Sequence, residues 1–365
     1  LLYIYILEYI KIIYILMYIV MIKILYIGYY PEHNFLEDII YLNALKNKNY
    51  TIKQFVHRLN DPETSFINND IIICGSFLQD INIIKILFKY IHKVIYNITE
   101  PIEFNNYIMY HLYIHKFINL AVGCVPENKT HIKFPLYIDP YEISSCEKIN
   151  EINNYVKNIE LNDLMIKKYC CLINRHDYGH TRTTIYNKLS ELGFIICPSV
   201  LFNNYPNEDF EKIGRENFQK EFIFNICPEN FVTQLDGYVT EKLFMACCCG
   251  NIPIYYGKLD DLDKQIFNLN RIILYDPTND QSIDQVYTII KKLLFNFQDL
   301  YNYYKQDVFL PSAIEIIKNY KVNLNYLCLL VHESYKVLEY KLSYLQEFLL
   351  IKYIALQIVY FFRNG

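Results

Sequence analysis

Short apolar runs alternate with amphipathic segments in the first part of the chain, which predicts a repeat of strands and helices. The runs IKILYIG, TIKQFV, DIIICGS, KVIYNI and INLAVG predict strands, and FLEDIIYLNALKN and LQDINIIKILFKYI predict helices between them. Apolar runs without polar alternation are typical of strands that are buried on both faces of a parallel sheet. Residues 21–140 are therefore predicted to form a first Rossmann-like domain with a mostly parallel sheet.

A second series of the same kind follows a polar, helix-prone stretch at 141–167, which is predicted to be a linker. The runs KKYCCLI, FIIC, FIFNIC, NIPIYYG and RIILYD predict strands. Helices are predicted for HTRTTIYNKLSELG, EDFEKIGRENFQ and YVTEKLFMACCC, with a further helix from about Ser282. Residues 168–310 are thus predicted to form a second Rossmann-like domain, and the cleft between two such domains is a common place for a ligand.

The two ends of the chain are apolar and leave alternatives open. Residues 1–20 read LLYIYILEYIKIIYILMYIV, which is long enough to cross a bilayer. This stretch is either a signal anchor or an extension before a natural start at Met21. We favour the second, because MIKILYIGYY already has the pattern of a first strand that ends in a glycine turn. The tail at 311–365 is helical in period, and it is predicted either to dock on the domains or to associate with a membrane.

Charge and cysteine content narrow the functional classes. The 35 basic and 39 acidic residues give a net charge of -4, so the chain lacks the basic excess of proteins that bind nucleic acid. The 11 cysteines are odd in number, contain no C-x-x-C pair and stand mostly in apolar runs. This pattern predicts buried free thiols in a reducing compartment and gives no sign of a metal site.

The candidate chemistry begins at the helix predicted for YVTEKLFMACCC. Tyr238, Glu241 and Lys242 are spaced i, i+3 and i+4, which puts them on one face near the helix start. A phosphate there would meet the Lys ammonium, the phenol hydroxyl and the positive end of the helix dipole, while Glu241 would accept hydrogen bonds from ribose hydroxyls. The spacing is compatible with a nucleotide site, and equally with an ordinary amphipathic helix whose Glu and Lys are solvated.

The surrounding stretch ENFVTQLDGYVTEKLFMACCCGNIPIYYG resembles the donor-binding motif of the α1,3/4-fucosyltransferases, family 10 of the glycosyltransferases. That motif has an E-N pair, then Y-V-T-E-K, then G-x-x-P-[IV]-Y-[WY]-G. Glu229 and Asn230 match the E-N pair, and the resemblance implies that Asn230 touches the donor. It also implies that Tyr238, Glu241 and Lys242 contact the guanosine ribose and the phosphates of GDP-fucose. The loop before Tyr238 is about two residues longer than the family pattern.

Two further segments extend the resemblance. In LINRHDYGHTRTTIYNKL, Arg182 and Tyr186 match the R-x-x-x-Y-x-x-L segment of the family, whose Arg contacts the donor diphosphate. The neighbouring Arg175 and His180 are interpreted as turn and surface residues. In KVIYNITEP, Glu100 follows the end of a strand and takes the position of the catalytic base by the same correspondence. Glu103 and Glu127 are reserve candidates, and without the resemblance Glu100 would be an exposed loop carboxylate.

The resemblance implies an α/β protein of the GT-B type, with two Rossmann-like domains and the active site in the cleft between them. It implies an inverting, metal-independent fucosyltransferase that transfers L-fucose from GDP-fucose to a hydroxyl of a glycan or glycoconjugate acceptor, with an α1,3-type linkage and no cofactor. The Asp260, Asp261 and Asp263 cluster is predicted to cap a helix, the alternative being a metal-binding D-x-D signature.

Two other functions stay open at this point. One is a GT-B transferase that uses another nucleotide sugar, and the other is a non-catalytic protein that binds glycans or nucleotides. The expected location is the cytoplasm if translation starts at Met21. The alternative is a Golgi-type membrane, with residues 1–20 as the membrane tether.

Overall fold

The computed structural model describes residues 22–27, 50–55, 62–68, 71–75, 78, 80–98, 121–123, 131–133, 146–177, 180–230 and 237–320. Six described strands form the first sheet, in the order β2-β1-β3-β4-β5-β6. All its strand pairs are parallel. The strands are β1 (Ile22–Ile27), β2 (Tyr50–Phe55), β3 (Ile71–Gly75), β4 (Val94–Ile98), β5 (Ala121–Gly123) and β6 (His131–Lys133).

Five described strands form the second sheet, in the order β11-β10-β9-β7-β8, and its pairs are parallel as well. In each sheet the carboxyl ends of the strands therefore meet at one edge, where open α/β sheets bind their ligands. The strands are β7 (Lys168–Leu172), β8 (Ile195–Ile196), β9 (Phe222–Ile226), β10 (Ile252–Tyr255) and β11 (Ile273–Leu274).

Helices connect the described strands and cover the sheets. In the first part of the chain they are α1 (Pro62–Ile67) and α2 (Ile81–Leu87), the latter continued by a 3-10 turn at Phe88–Lys93. The remaining ones are α3 (Cys146–Asn158), α4 (Leu161–Met165), α5 (Thr183–Ser190), α6 (Asn207–Ile213), α7 (Arg215–Lys220), α8 (Glu241–Cys248), α9 (Asp263–Ile266), α10 (Asp280–Phe295), α11 (Phe297–Tyr304) and α12, over 313–320.

The main core lies around the second sheet. Every residue of β9 and β10 is buried, as expected for central parallel strands that are covered on both faces. Helix α8 buries five consecutive residues, 243–247, against this sheet. Ile73 and Ile95 of the first sheet belong to the same buried cluster, so the two sheets share part of one core. The eight cysteines whose side chains the structure describes are free thiols and, apart from Cys248, buried, as predicted.

Most of the predicted elements in the described part of the chain are confirmed, and two of the exceptions have a local cause. The segment EDFEKIGRENFQ, predicted as one helix, forms α6 and α7 because Gly214 between them has φ 78° and ψ 150°. These angles fall where a side chain would be strained. The strand β6 was not predicted, since its three residues are too few for a visible alternation.

Several predictions fall on the undescribed parts of the chain. The helix predicted for FLEDIIYLNALKN, the apolar stretch at 1–20 and the tail beyond residue 320 lie outside the described residues. The described helices include none that is long and apolar enough to cross a bilayer. The helix-prone stretch at 141–167 does contain α3 and α4, but the domain boundaries themselves remain predictions.

A buried ion pair joins β6 of the first sheet to the segment that follows β10 of the second sheet. Lys133, at the end of β6, donates to Asp260 Oδ2 at 2.5 Å and to Asp263 Oδ2 at 2.8 Å. The side chains of Lys133 and Asp263 have no exposed surface. Asp260 also accepts from the backbone N–H groups of Leu262 and Asp263 at 2.9 Å, which is the capping role predicted for this cluster. The ion pair was not predicted, because its partners are 127 and 130 residues apart.

The pH dependence of stability tests this ion pair. Burial, helped by the Asp260 carboxylate and opposed by Lys133, raises the pKa of Asp263 from 3.8 to about 7. Between these values the folded chain binds more protons than the unfolded chain, so the contribution of Asp263 to the free energy of unfolding falls as the pH rises. We expect Asp263→Asn to lose less stability than the wild type between about pH 5 and about pH 7 in urea unfolding.

The exposed Asp261, whose side chain is 95% accessible, supplies the control for this experiment. Asp261→Asn should keep the pH dependence of the wild type, because its side chain lies in solvent and outside the buried pair of Lys133 and Asp263. Parallel pH profiles for the wild type and Asp263→Asn would contradict the assignment.

Candidate active site

A cavity of about 750 Å³ opens at the carboxyl ends of β7, β8 and β9. Four basic side chains line it together with polar and apolar groups, so it suits an anionic ligand with an organic moiety. The lining residues are Ile173, Asn174, Arg175, His176, Arg182, Pro198, Ser199, Val200, Asn207, Phe210, Glu211, Arg215, Asn230, Glu241 and Lys242.

Arg182 lies just before α5 and is held rigidly. Its side chain donates from Nη2 to Asn230 Oδ1 at 2.7 Å and from Nη1 to the His176 carbonyl. Its backbone N–H donates to Asp177 Oδ1 at 2.9 Å, which orients the start of the helix. Arg182 is 1% exposed, and burial lowers the pKa of its guanidinium, an effect that Asp177 opposes. Its Nε is buried and has no hydrogen-bond partner among the described residues, which leaves one donor of the guanidinium unsatisfied.

Lys242 enters the cavity from the first turn of α8. Thr240 is the N-cap of this helix, and its hydroxyl accepts from Lys242 Nζ at 2.8 Å. Burial acts to lower the pKa of Lys242, but the Glu229 and Glu241 carboxylates outweigh it and hold the pKa above its ordinary value. Lys242 therefore stays charged at neutral pH.

Glu229 lies behind the cavity wall and fixes the start of α8. Its side chain is fully buried, and Oε1 accepts from the Thr240 backbone N–H at 2.8 Å and from the Tyr255 hydroxyl at 3.0 Å. Oε2 accepts from the Thr240 hydroxyl at 2.7 Å, with Lys242 Nζ at 3.5 Å. Both carboxylate oxygens of Glu229 accept hydrogen bonds, and Glu229 does not line the cavity. Glu229 therefore acts by positioning Thr240 and Lys242.

Glu241 shares the cavity wall with Lys242, at 3.6 Å between Oε1 and Nζ. Burial acts to raise the pKa of Glu241, but Lys242 and then Arg215 outweigh it and lower the pKa, so the carboxylate is ionised. An ionised carboxylate accepts hydrogen bonds from hydroxyl groups of a ligand. The predicted residues Arg182, Asn230, Glu241 and Lys242 thus come together on one cavity.

Tyr186 and Tyr238 were predicted at the same site but do not line this cavity. The ring of Tyr186 stacks on that of Phe202, with centroids 3.9 Å apart and planes 7° apart, so it supports the loop that follows β8. Tyr238 is 3% exposed and precedes the cap residue Thr240. The helix spacing put Tyr238 with Glu241 and Lys242, but α8 begins only at Glu241. Glu100, Glu103 and Glu127 lie outside the described residues.

Sequence reasoning missed several residues of the cavity wall. Arg175 is exposed, as a turn residue would be, yet it lines the cavity. Asn174 is buried, and its Nδ2 has no hydrogen-bond partner among the described residues. Both follow β7 directly, and their position after a parallel strand was a usable signal. Arg215 was hidden inside a pattern that suggested one continuous helix. His180 is exposed at the surface, as predicted.

Two other features of the described residues bear on ligands. A separate cavity of about 630 Å³ lies beside α3 and α4, and none of the predicted site residues lines it. The described residues include no group of three or more His, Cys, Asp or Glu side chains arranged to hold a metal ion.

Comparison with known proteins gives the fold. No protein-family model and no curated protein matches the chain. A crystal structure of α1,3-fucosyltransferase is similar, with a TM-score of 0.56 and 18% identity. The structure with GDP-fucose gives 0.55 and 17%, and the structure with GDP gives 0.53 and 16%. Each match covers 84% of this chain and 90% of the other. The predicted fold class is therefore confirmed: the chain is an α/β protein with the GT-B fold of these α1,3-fucosyltransferase structures.

Proposed function

We propose that the chain is an inverting fucosyltransferase of the α1,3/4 family, which transfers L-fucose from GDP-fucose to a hydroxyl of a glycan acceptor. The observation that carries the proposal is the convergence of Arg182 and Lys242, from two different helix starts, on one cavity with Asn230 and Glu241. These are the residues for which the motif resemblance implies donor contacts. Similarity of fold to structures with GDP-fucose and GDP supports the same ligand.

In this proposal the diphosphate of the donor lies between the two cations. Arg182 offers its unpartnered Nε, and Lys242 offers its ammonium at the positive end of the α8 dipole. Glu241 accepts from the ribose hydroxyls. Because Asn230 and the His176 carbonyl already fix the guanidinium of Arg182, little reorganisation is needed when the donor binds.

The reaction is a single displacement at the anomeric carbon of fucose. The acceptor oxygen attacks from the face opposite GDP, its bond to the anomeric carbon forms, and the bond from that carbon to the β-phosphate oxygen breaks. Glu100 takes the proton of the acceptor hydroxyl. Negative charge grows on the β-phosphate as the bond breaks, and Arg182 and Lys242 stabilise it there, which is the task a divalent metal performs in other transferases. The α1,3-type linkage belongs to the proposal through the resemblance.

Release of GDP from GDP-fucose by the full chain tests the proposal. The assay contains a chelator and a panel of acceptors that includes N-acetyllactosamine-type glycans. Acceptor-stimulated release in chelator would support the donor, the reaction and metal independence together. Turnover with another nucleotide sugar in place of GDP-fucose would contradict the donor. Binding of GDP-fucose without turnover on any acceptor would favour a non-catalytic binding protein.

Replacement of Arg182 is expected to weaken turnover. Arg182→Gln removes the charge and the Nε donor from the diphosphate, so we expect kcat/KM to fall about 10- to 100-fold, as for the loss of a charged hydrogen bond. The matched control is Lys188→Gln, on the helix that Arg182 precedes, where the lysine pairs with exposed Asp284 away from the cavity. Equal kcat/KM for Arg182→Gln and Lys188→Gln would contradict the role of Arg182.

A further inference from the structure

The turn from His180 to Arg182 carries the chain from the surface into the buried wall of the cavity. His180 has φ 55°, in the left-handed region that residues other than glycine seldom adopt, and its side chain is 85% exposed. Thr181 and Arg182 follow directly and are buried. The direction of the backbone at Thr181 therefore determines where the Arg182 side chain enters the cavity.

Two hydrogen bonds from outside this turn hold Thr181. Its carbonyl accepts from the Tyr275 hydroxyl at 2.6 Å, which is at the short end of the range for a hydroxyl donor. Its own hydroxyl donates to the Glu229 carbonyl at 3.4 Å, a much longer contact. Thr181 and Tyr275 do not line the cavity. The bond from Tyr275 is thus the stronger of the two anchors, and it acts without touching the ligand site.

Tyr275 directly follows β11 and is itself firmly placed. Its backbone N–H donates to the Tyr255 carbonyl at 3.1 Å, and its ring contacts that of Tyr256, with centroids 6.0 Å apart. Burial raises the pKa of Tyr275, so the hydroxyl keeps its proton and remains a donor at neutral pH. The hydroxyl joins the end of β11 to the turn after β7, although β10 and β9 lie between these strands in the sheet.

We propose that Tyr275 is a positioning residue for Arg182, an inference that rests on the proposed donor site. The carbonyl of Thr181 and the N–H of Arg182 belong to one planar peptide group. Tyr275 binds the carbonyl of this group, and Asp177 Oδ1 accepts from its N–H at 2.9 Å. With both ends bonded, the peptide group does not tilt, and the guanidinium stays where charge grows on the β-phosphate. Loss of the Tyr275 hydroxyl frees one end of the group and lets Arg182 move.

Tyr275→Phe in the full chain tests this role, because it removes one hydroxyl and keeps the ring. We expect kcat for acceptor-dependent GDP release to fall about 10-fold, with the KM for the acceptor unchanged. The matched control is Tyr169→Phe. The Tyr169 hydroxyl donates to the Leu189 carbonyl at 3.2 Å, at the opposite end of α5 from Arg182, and Tyr169 does not line the cavity. The control should keep the kcat of the wild type.

A double variant shows whether Tyr275 acts through Arg182. When Arg182→Gln is already present, Tyr275→Phe should lower kcat no further, because the group that it positions is gone. A full additional loss in the double variant would overturn the positioning role.

The outcomes separate this inference from the proposed function. If the wild type turns over GDP-fucose and Tyr275→Phe has the kcat of Tyr169→Phe, the positioning role is overturned and the proposed function stands. If the wild type binds GDP in calorimetry but transfers no fucose, the proposed function fails. Weaker GDP binding by Tyr275→Phe than by Tyr169→Phe would then support the positioning role, and equal binding would overturn it. If the wild type binds no GDP, both are overturned.

Discussion

Glu100→Gln is expected to lower kcat for acceptor-dependent GDP release by about 10²- to 10⁴-fold, with the affinity for GDP-fucose retained. The amide has nearly the shape of the carboxylate but does not take the proton of the acceptor hydroxyl. Glu100 follows β4 by two residues, and open α/β sheets bind their ligands beyond the carboxyl ends of their parallel strands. The measurement is single-turnover GDP release, together with GDP-fucose binding by calorimetry.

Two further variants locate the base if the assignment of Glu100 is wrong. Glu103→Gln serves as a near neighbour in sequence, and Glu127→Gln tests the other reserve candidate. Near-normal turnover in Glu100→Gln would refute its role as base. If Glu127→Gln then showed the loss, the base would move to Glu127.

Glu229→Ala is expected to destabilise the protein by about 3–5 kcal/mol, because it breaks a buried network around a charge. The substitution leaves the Thr240 N–H and the Tyr255 hydroxyl without their acceptor and removes a carboxylate from beside Lys242. Thr240 and Lys242 stand at the start of α8, so the nucleotide site should loosen as well. Urea or thermal unfolding measures the loss of stability, and GDP binding reports on the site.

Glu229→Gln tests the contribution of the negative charge separately from the contribution of side-chain packing. The amide keeps an acceptor oxygen for Tyr255 or Thr240, so the fold should survive better than in Glu229→Ala. Loss of the carboxylate should lower the pKa of Lys242, since Glu229 helps to raise it. Unchanged stability in Glu229→Ala would contradict the positioning role assigned to this residue.

The sequence pattern predicted the central strands well, because β9 and β10 are apolar on both faces and flanked by turn residues. The donor-binding role of Arg182 and Lys242 was predicted only through the motif resemblance, since isolated cations at helix starts are usually solvated. These two residues are 60 positions apart in the chain, and the structure shows that both line one cavity, which their spacing in the sequence does not indicate.

The positions of other residues of the site could not be predicted from the sequence, for specific physical reasons. Glu229 and Lys242 belong to one motif, but only the position of Tyr255 on β10 shows that Glu229 is enclosed behind the wall. Arg215 sits at a helix start that exists because Gly214 adopts a positive φ. An isolated glycine within a helical pattern does not by itself predict such a break.

The ion pair between Lys133 and Asp263 has a consequence for how this chain can change during evolution. Lys133 is on β6 of the first sheet and Asp263 is on α9, which follows β10 of the second sheet. Loss of Lys133 leaves Asp263 buried without an opposite charge, and loss of Asp263 leaves the buried Lys133 with Asp260 alone. Single substitutions at these positions should therefore be selected against, while paired replacements by apolar residues of similar volume should be tolerated. Lys133 and Asp263 should accordingly change together, so that the two halves of the molecule inherit their fit as a unit.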